Sequence, residues 1–152
     1  SYDKYIDFCI TGTMTEHRMK IVEELRRRGH SVVAKSAQTP GYIRRELYNA
    51  SWIDICPLLD ESTRCISSMK AKYSLDRNHI HLFEKPKDDE FCKLDILSEI
   101  RYNKENFVEE ASELLDYVKR NNIKEADTSN YVYNSAIRGQ RFCEEYTRML
   151  KN

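Results

Sequence analysis

The residues best suited to chemistry lie where an apolar run breaks off. Residues 6–34 read IDFCITGTMTEHRMKIVEELRRRGHSVVA, with Thr11-Gly12-Thr13 between a short apolar run and a helical stretch. A helix N-terminus presents unpaired N–H groups and the positive end of the helix dipole, which suits a phosphate. Gly12 would let a phosphate approach the backbone, and Thr11 or Thr13 could donate a hydroxyl. Arg18, about one turn into the helix, could fork onto phosphate oxygens. A bend alone would also use a glycine here, so the rest of the chain has to decide. A second cluster, DESTRCISSMK, offers Ser62 and Thr63 as helix caps and Arg64 and Lys70 as cations. Arg64 and Lys70 are two turns apart and need not meet on one ligand.

Several chemistries lack their residues. There is no Gly-x-Gly-x-x-Gly after the first apolar run and no Gly-Lys-Ser/Thr, which argues against dinucleotide and P-loop sites. A Gly-x-Ser-x-Gly elbow is missing too. His79 and His81 could give two metal ligands on one strand face, but spacing places no third. Asp88-Asp89-Glu90 follows a proline and reads as a solvated loop. No catalytic residue, metal or cofactor is assigned.

Lys plus Arg number 25 and Asp plus Glu 25, so no global basic field exists to wrap nucleic acid. Arg26-Arg27-Arg28 sits among acidic neighbours and reads as a solvated helix face. No apolar run approaches the roughly 20 residues that span a bilayer. Ser1-Tyr2-Asp3-Lys4 shows no basic-then-apolar leader pattern. Cys9, Cys56, Cys65, Cys92 and Cys143 are odd in number and widely spaced, so all five are expected to be free thiols. A cytoplasmic setting is the expectation.

The elements that must position these residues follow from periodicity. Residues 6–10 read as a buried strand, and Thr13-x-x-Glu16 as a capping box starting a helix at Met14. Ile21, Val22 and Leu25 form its core stripe, Gly29 ends it, and residues 31–34 make a second strand, a βαβ unit that implies a parallel sheet. Thr39-Pro40 reads as an N-cap and first helical residue, with Ile43 and Leu47 inward. WIDICPLL gives a third strand, residues 63–75 a helix ended by a left-handed Asn78, and residues 80–83 a fourth strand. Phe107, Ala111, Leu114, Leu115 and Val118 mark an amphipathic helix. Ala136, Gly139, Phe142, Cys143, Tyr146 and Met149 mark a last one, with Gly139 at a close helix contact. The fold expected is one Rossmann-like α/β domain: a βαβ core over 1–100, helices on both faces, and two C-terminal helices packed on it over 101–152. Ligands of such sheets bind outside the carboxyl ends of the strands. That edge gathers the loops 11–13, 35–39, 60–64 and 84–87.

The order of segments across nearly the whole chain resembles the C-terminal, nucleotide-sugar-binding half of a GT-B glycosyltransferase. IDFCITGTMTEHRMKIVEELRRRGHSV is similar to its opening strand, phosphate-facing turn and helix. YIRRELYNASWIDICPLL and STRCISSMKAKYSLDRNHIHLFEKP resemble the segments that line its donor site, and NFVEEASELLDYV and SAIRGQRFCEEYTRML its closing helices. The resemblance implies a nucleotide-diphosphate sugar held by Thr11, Gly12, Thr13, Arg18, Ser62, Thr63, Arg64 and Lys70. It also implies an acceptor-binding domain or partner chain that this sequence does not contain. Glu61 and Glu84 are loose candidates for the glutamates that fix the donor's sugar and ribose.

A second resemblance covers less of the chain. FCITGTMTEHR is similar to the first strand and Thr-Gly turn of a BRCT domain, SSMKAK to its second phosphate-contacting helix, and DDEF to the start of its last helix. It implies a DNA-repair module in which Thr11, Gly12 and Lys70 hold a phosphoserine or a DNA 5′-phosphate, the one reading that brings in nucleic acid. Gly29-His30 departs from the Gly-Gly expected there, and the last 50 or so residues go unexplained. Sheet architecture separates the two. The first implies a terminal helix packed back across the domain. The second implies four strands, the second of them central, with an appended helical tail.

Overall fold

The computed structural model of the protein describes residues 3–36, 38–62, 68–87, 100–128, 140–141 and 143–151. Strands and helices alternate: β1 (Ile6–Thr11), α1 (Glu16–Arg27), β2 (Val32–Lys35), α2 (Gly41–Ala50), β3 (Ser51–Cys56), α3 (Ser68–Asp76), β4 (His81–Phe83) and α4 (Phe107–Arg120). Residues 143–151 form a further helix, α5. The strands pair in the order β2-β1-β3-β4, all parallel. Phe8 lies opposite Val32 and Ile53, and Ile55 opposite Leu82. The protein is therefore a Rossmann-like α/β domain with a short parallel sheet and two C-terminal helices. β1 and β3 are interior and β2 is an edge, which departs from the second-strand centrality expected of a BRCT-like sheet.

Strand alternation sorts side chains to two unlike faces. Phe8, Ile10, Ile53, Ile55 and Leu82 point to one, where they meet Val22 and Leu25 of α1 and Phe107, Ala111, Leu115 and Val118 of α4. This apolar layer is the main core. Cys9, Asp54, Cys56, His81 and Phe83 are buried on the other, against Leu47 and Tyr48 of α2 and Ala71 and Leu75 of α3. The buried Ser74 and His81 side chains on this face are hydrogen-bonded, as burial favours. Ser74 Oγ lies 3.1 Å from His81 Nδ1, and His81 Nε2 accepts the Arg101 N–H at 3.0 Å.

Chain reversals follow backbone geometry. Gly29 ends the first unit with φ +90° and Asn78 closes α3 with φ +57°, both as their residue types allow. Three expected details differ. Thr15, not Thr13, caps α1, its Oγ1 accepting the Arg18 N–H at 3.3 Å, because Gly12 (φ +119°) lets the loop run on before the first turn. Pro40, not Thr39, caps α2, and Ile43 lies on its exposed side while Leu47 is buried. Of the C-terminal pair, α4 is packed on the sheet, whereas Tyr146, Met149 and Leu150 of α5 are exposed. The expected Gly139 contact lies outside the described residues.

Candidate phosphate site at the carboxyl edge of the sheet

β1 delivers Thr11 and Gly12 to the carboxyl edge of the sheet, and α3 returns Lys70 to the same place. Lys70 Nζ donates to the Thr11 carbonyl at 3.0 Å. The Thr11 side chain turns to the polar face, where its hydroxyl lies 2.6 Å from the Tyr48 hydroxyl in a buried pair. Burial of Tyr48, with the charge of Asp54 nearby, raises its phenol well above the ordinary range. Gly12 donates its N–H to the Lys35 carbonyl at 3.0 Å, tying the turn to the end of β2. A β-carbon on Gly12 would come 3.1 Å from Arg18 Nη1.

Arg18 is brought to the turn, but its guanidinium is spent on carbonyl groups. Nε and Nη2 donate to Pro57 O at 3.1 and 3.0 Å, Nε also reaches Leu58 O at 3.3 Å, and Nη1 donates to Thr13 O at 2.9 Å. It straps the loop after β3 to the loop before α1. Burial holds its pKa below the ordinary arginine value. Thr13 is exposed, and its hydroxyl makes no hydrogen bond among the described residues.

The second cluster divides. Lys70 joins the glycine turn. Ser62 is exposed and bonds Asp60 through both its N–H (2.8 Å) and its hydroxyl (2.6 Å) to Oδ1, forming a turn rather than a cap on the described part of α3. Thr63 and Arg64 lie outside the described residues, as do Cys65 and Cys92. Cys9 and Cys56 are free and buried, and Cys143 is free and exposed.

Near this edge His17 carries no signal in the sequence, Glu84 is only a loose candidate there, and Asp54 is not singled out. His17 Nε2 lies 2.7 Å from Glu84 Oε1, which also accepts the Leu58 N–H at 2.8 Å. Glu84 thus clamps α1 and the loop after β3, while Glu61 is exposed. Asp54 sits mid-strand in β3 and is 3% exposed. Burial pushes its carboxyl up to about 6, opposed by the charge of Lys70 and by the Cys56 thiol at 3.8 Å. An acid inside the apolar run WIDIC reads as a pattern break, yet its role depends on a lysine 16 positions later in the sequence. Among the described residues no three His, Cys, Asp or Glu side chains gather to hold a metal.

No family model, no curated protein and no solved structure matches the chain.

Proposed function

We propose that the protein is a phosphate-binding module that reads a phosphorylated serine or threonine on a partner protein, the ligand chemistry of the BRCT resemblance on a sheet whose strand order departs from the one that resemblance implies. The observation that carries this is the contact between Lys70 Nζ and the Thr11 carbonyl, beside Gly12. It supports the trio that the second resemblance names for one phosphate. The ammonium gives one donor to the Thr11 carbonyl and faces the Cys56 thiol, which leaves a third for a monoester, and the exposed Thr13 hydroxyl lies one residue past Gly12.

A nucleotide-diphosphate sugar makes a larger demand. Its two phosphates call for more than one cation, and Arg18, a second cation at this turn, is committed to three carbonyls among the described residues. The balanced formal charge favours a phosphopeptide over duplex DNA, which takes several phosphate contacts at once.

The reading is tested by melting the protein with phosphoserine peptides of degenerate flanking sequence, their unphosphorylated counterparts, a 5′-phosphorylated duplex, and a nucleotide-diphosphate sugar. The phosphopeptides should raise the melting temperature by mass action. Lys70→Ala should weaken them about tenfold or more, the scale of one charge-assisted bond. Stabilisation by the nucleotide sugar alone would return the domain to the transferase reading, and stabilisation by the duplex alone would assign a DNA end. Phosphopeptide binding that survives Lys70→Ala would remove the proposed site.

A further inference from the structure

The opposite edge of the sheet holds a cavity of about 230 Å³. Lys4 reaches it from before β1, Arg45 from α2, Arg77 and His79 from the turn into β4, and Lys124 from beyond α4. Its lining carries four cationic side chains against two acids, Asp54 and Glu125. Asp54 is enclosed in the core, and Glu125 is one carboxylate among the four cations.

Folding has crowded like charges here with little to neutralise them. Arg45 and Arg77 have no carboxylate partner among the described residues, and Arg77 instead lies 3.7 Å over the Tyr73 ring. Lys4 donates to a neutral carbonyl, Asn49 O, at 2.8 Å. Among the described residues Lys124 pairs with the exposed Asp3, at 3.9 Å. His79 keeps a buried Nδ1 with no hydrogen-bond partner among the described residues. Burial lowers the pKa of both Lys4 and His79; at Lys4 the charge of Glu125 opposes this more than Lys124 adds to it, while at His79 repulsion from Lys4 and Arg77 adds to it. Four cations from four separate segments, Arg45 and Arg77 of them exposed to solvent, give this hollow a positive field that draws an anion.

We propose that this cavity is a second anion site, separate from the Thr11–Lys70 edge, which takes a small polyvalent phosphate: a free pyrophosphate or the phosphate group of a nucleotide. Trp52, the only tryptophan in the chain, lines the cavity and reports its occupancy. The experiment titrates the full chain with pyrophosphate and with AMP at fixed ionic strength while following Trp52 fluorescence. Each should give a saturable change, and tighter AMP would identify a nucleotide rather than free polyphosphate as the source. Arg45→Glu and Lys124→Glu replace side chains at the rim and should each weaken binding about tenfold or more at unchanged circular dichroism. Lys70→Ala should leave the titration as it was. A flat fluorescence response overturns the proposal, as does a response that survives both charge reversals. A response lost in Lys70→Ala and kept in Arg45→Glu moves the anion to the other edge and overturns it equally.

Discussion

Arg18 and Lys70 are both cations brought to one glycine turn, and their partners give them opposite jobs. Arg18 satisfies the carbonyls of Thr13, Pro57 and Leu58, so its removal strips donors from two loops at once. Arg18→Ala should lower stability by about 1–3 kcal/mol in urea denaturation. Its phosphopeptide affinity should fall far less than that of Lys70→Ala, whose own stability cost comes instead from the buried Asp54 it leaves without a countercharge. Equal affinity losses in the two variants would make Arg18 a ligand and refute this division. Gly12→Ala cannot separate the two effects. At φ +119° any side chain is strained by about 1–3 kcal/mol, and the new methyl meets the Arg18 guanidinium.

At the scale of elements, the entry to α1 turns on which threonine caps it. Thr15→Ala should cost about 1 kcal/mol, the ordinary worth of a cap, while Thr13→Ala should cost close to nothing, both read from thermal melts. The reverse order would restore the capping box at Thr13. The strands and both core helices, α1 and α4, were legible because burial imposes a period, as the stripes Ile21-Val22-Leu25 and Phe107-Ala111-Leu115-Val118 show. Cap positions were not, because Thr13 and Thr15 both precede the helix and only the path after Gly12 chooses between them. For the site, Thr11 and Gly12 were legible from their place at a strand end. Their link to Lys70, 59 residues later, required the sheet order, and so did the engagement of Arg18. His17–Glu84 spans 67 residues with no local pattern at either end.

The molecule as a whole assigns its two sheet faces different work. The α1/α4 face is apolar and supplies most of the burial, while the α2/α3 face holds Asp54, Ser74 and His81, the buried Thr11–Tyr48 pair and the approach of Lys70. Buried titratable groups on that face make stability depend on pH. His81, held down to about 4 by burial, resists a proton that the unfolded chain accepts near 6.5. Its contribution is present above 6.5 and is lost as pH falls toward 4. Asp54 runs the other way. Its folded carboxyl titrates at about 6 against 3.8 unfolded, so the native state takes up the proton first as pH falls, and the ionised group costs at most about 3 kcal/mol above pH 6. Asp54→Asn keeps the shape and removes only that charge. Measured by urea denaturation from pH 4 to pH 7.5, the stability of Asp54→Asn relative to the parent should rise with pH, chiefly between 4 and 6. Any constant loss from the amide's own hydrogen bonding cancels in this comparison. A difference that stays flat across the range would mean that Asp54 ionises as an ordinary aspartate, and that Lys70 fully offsets the cost of burying it.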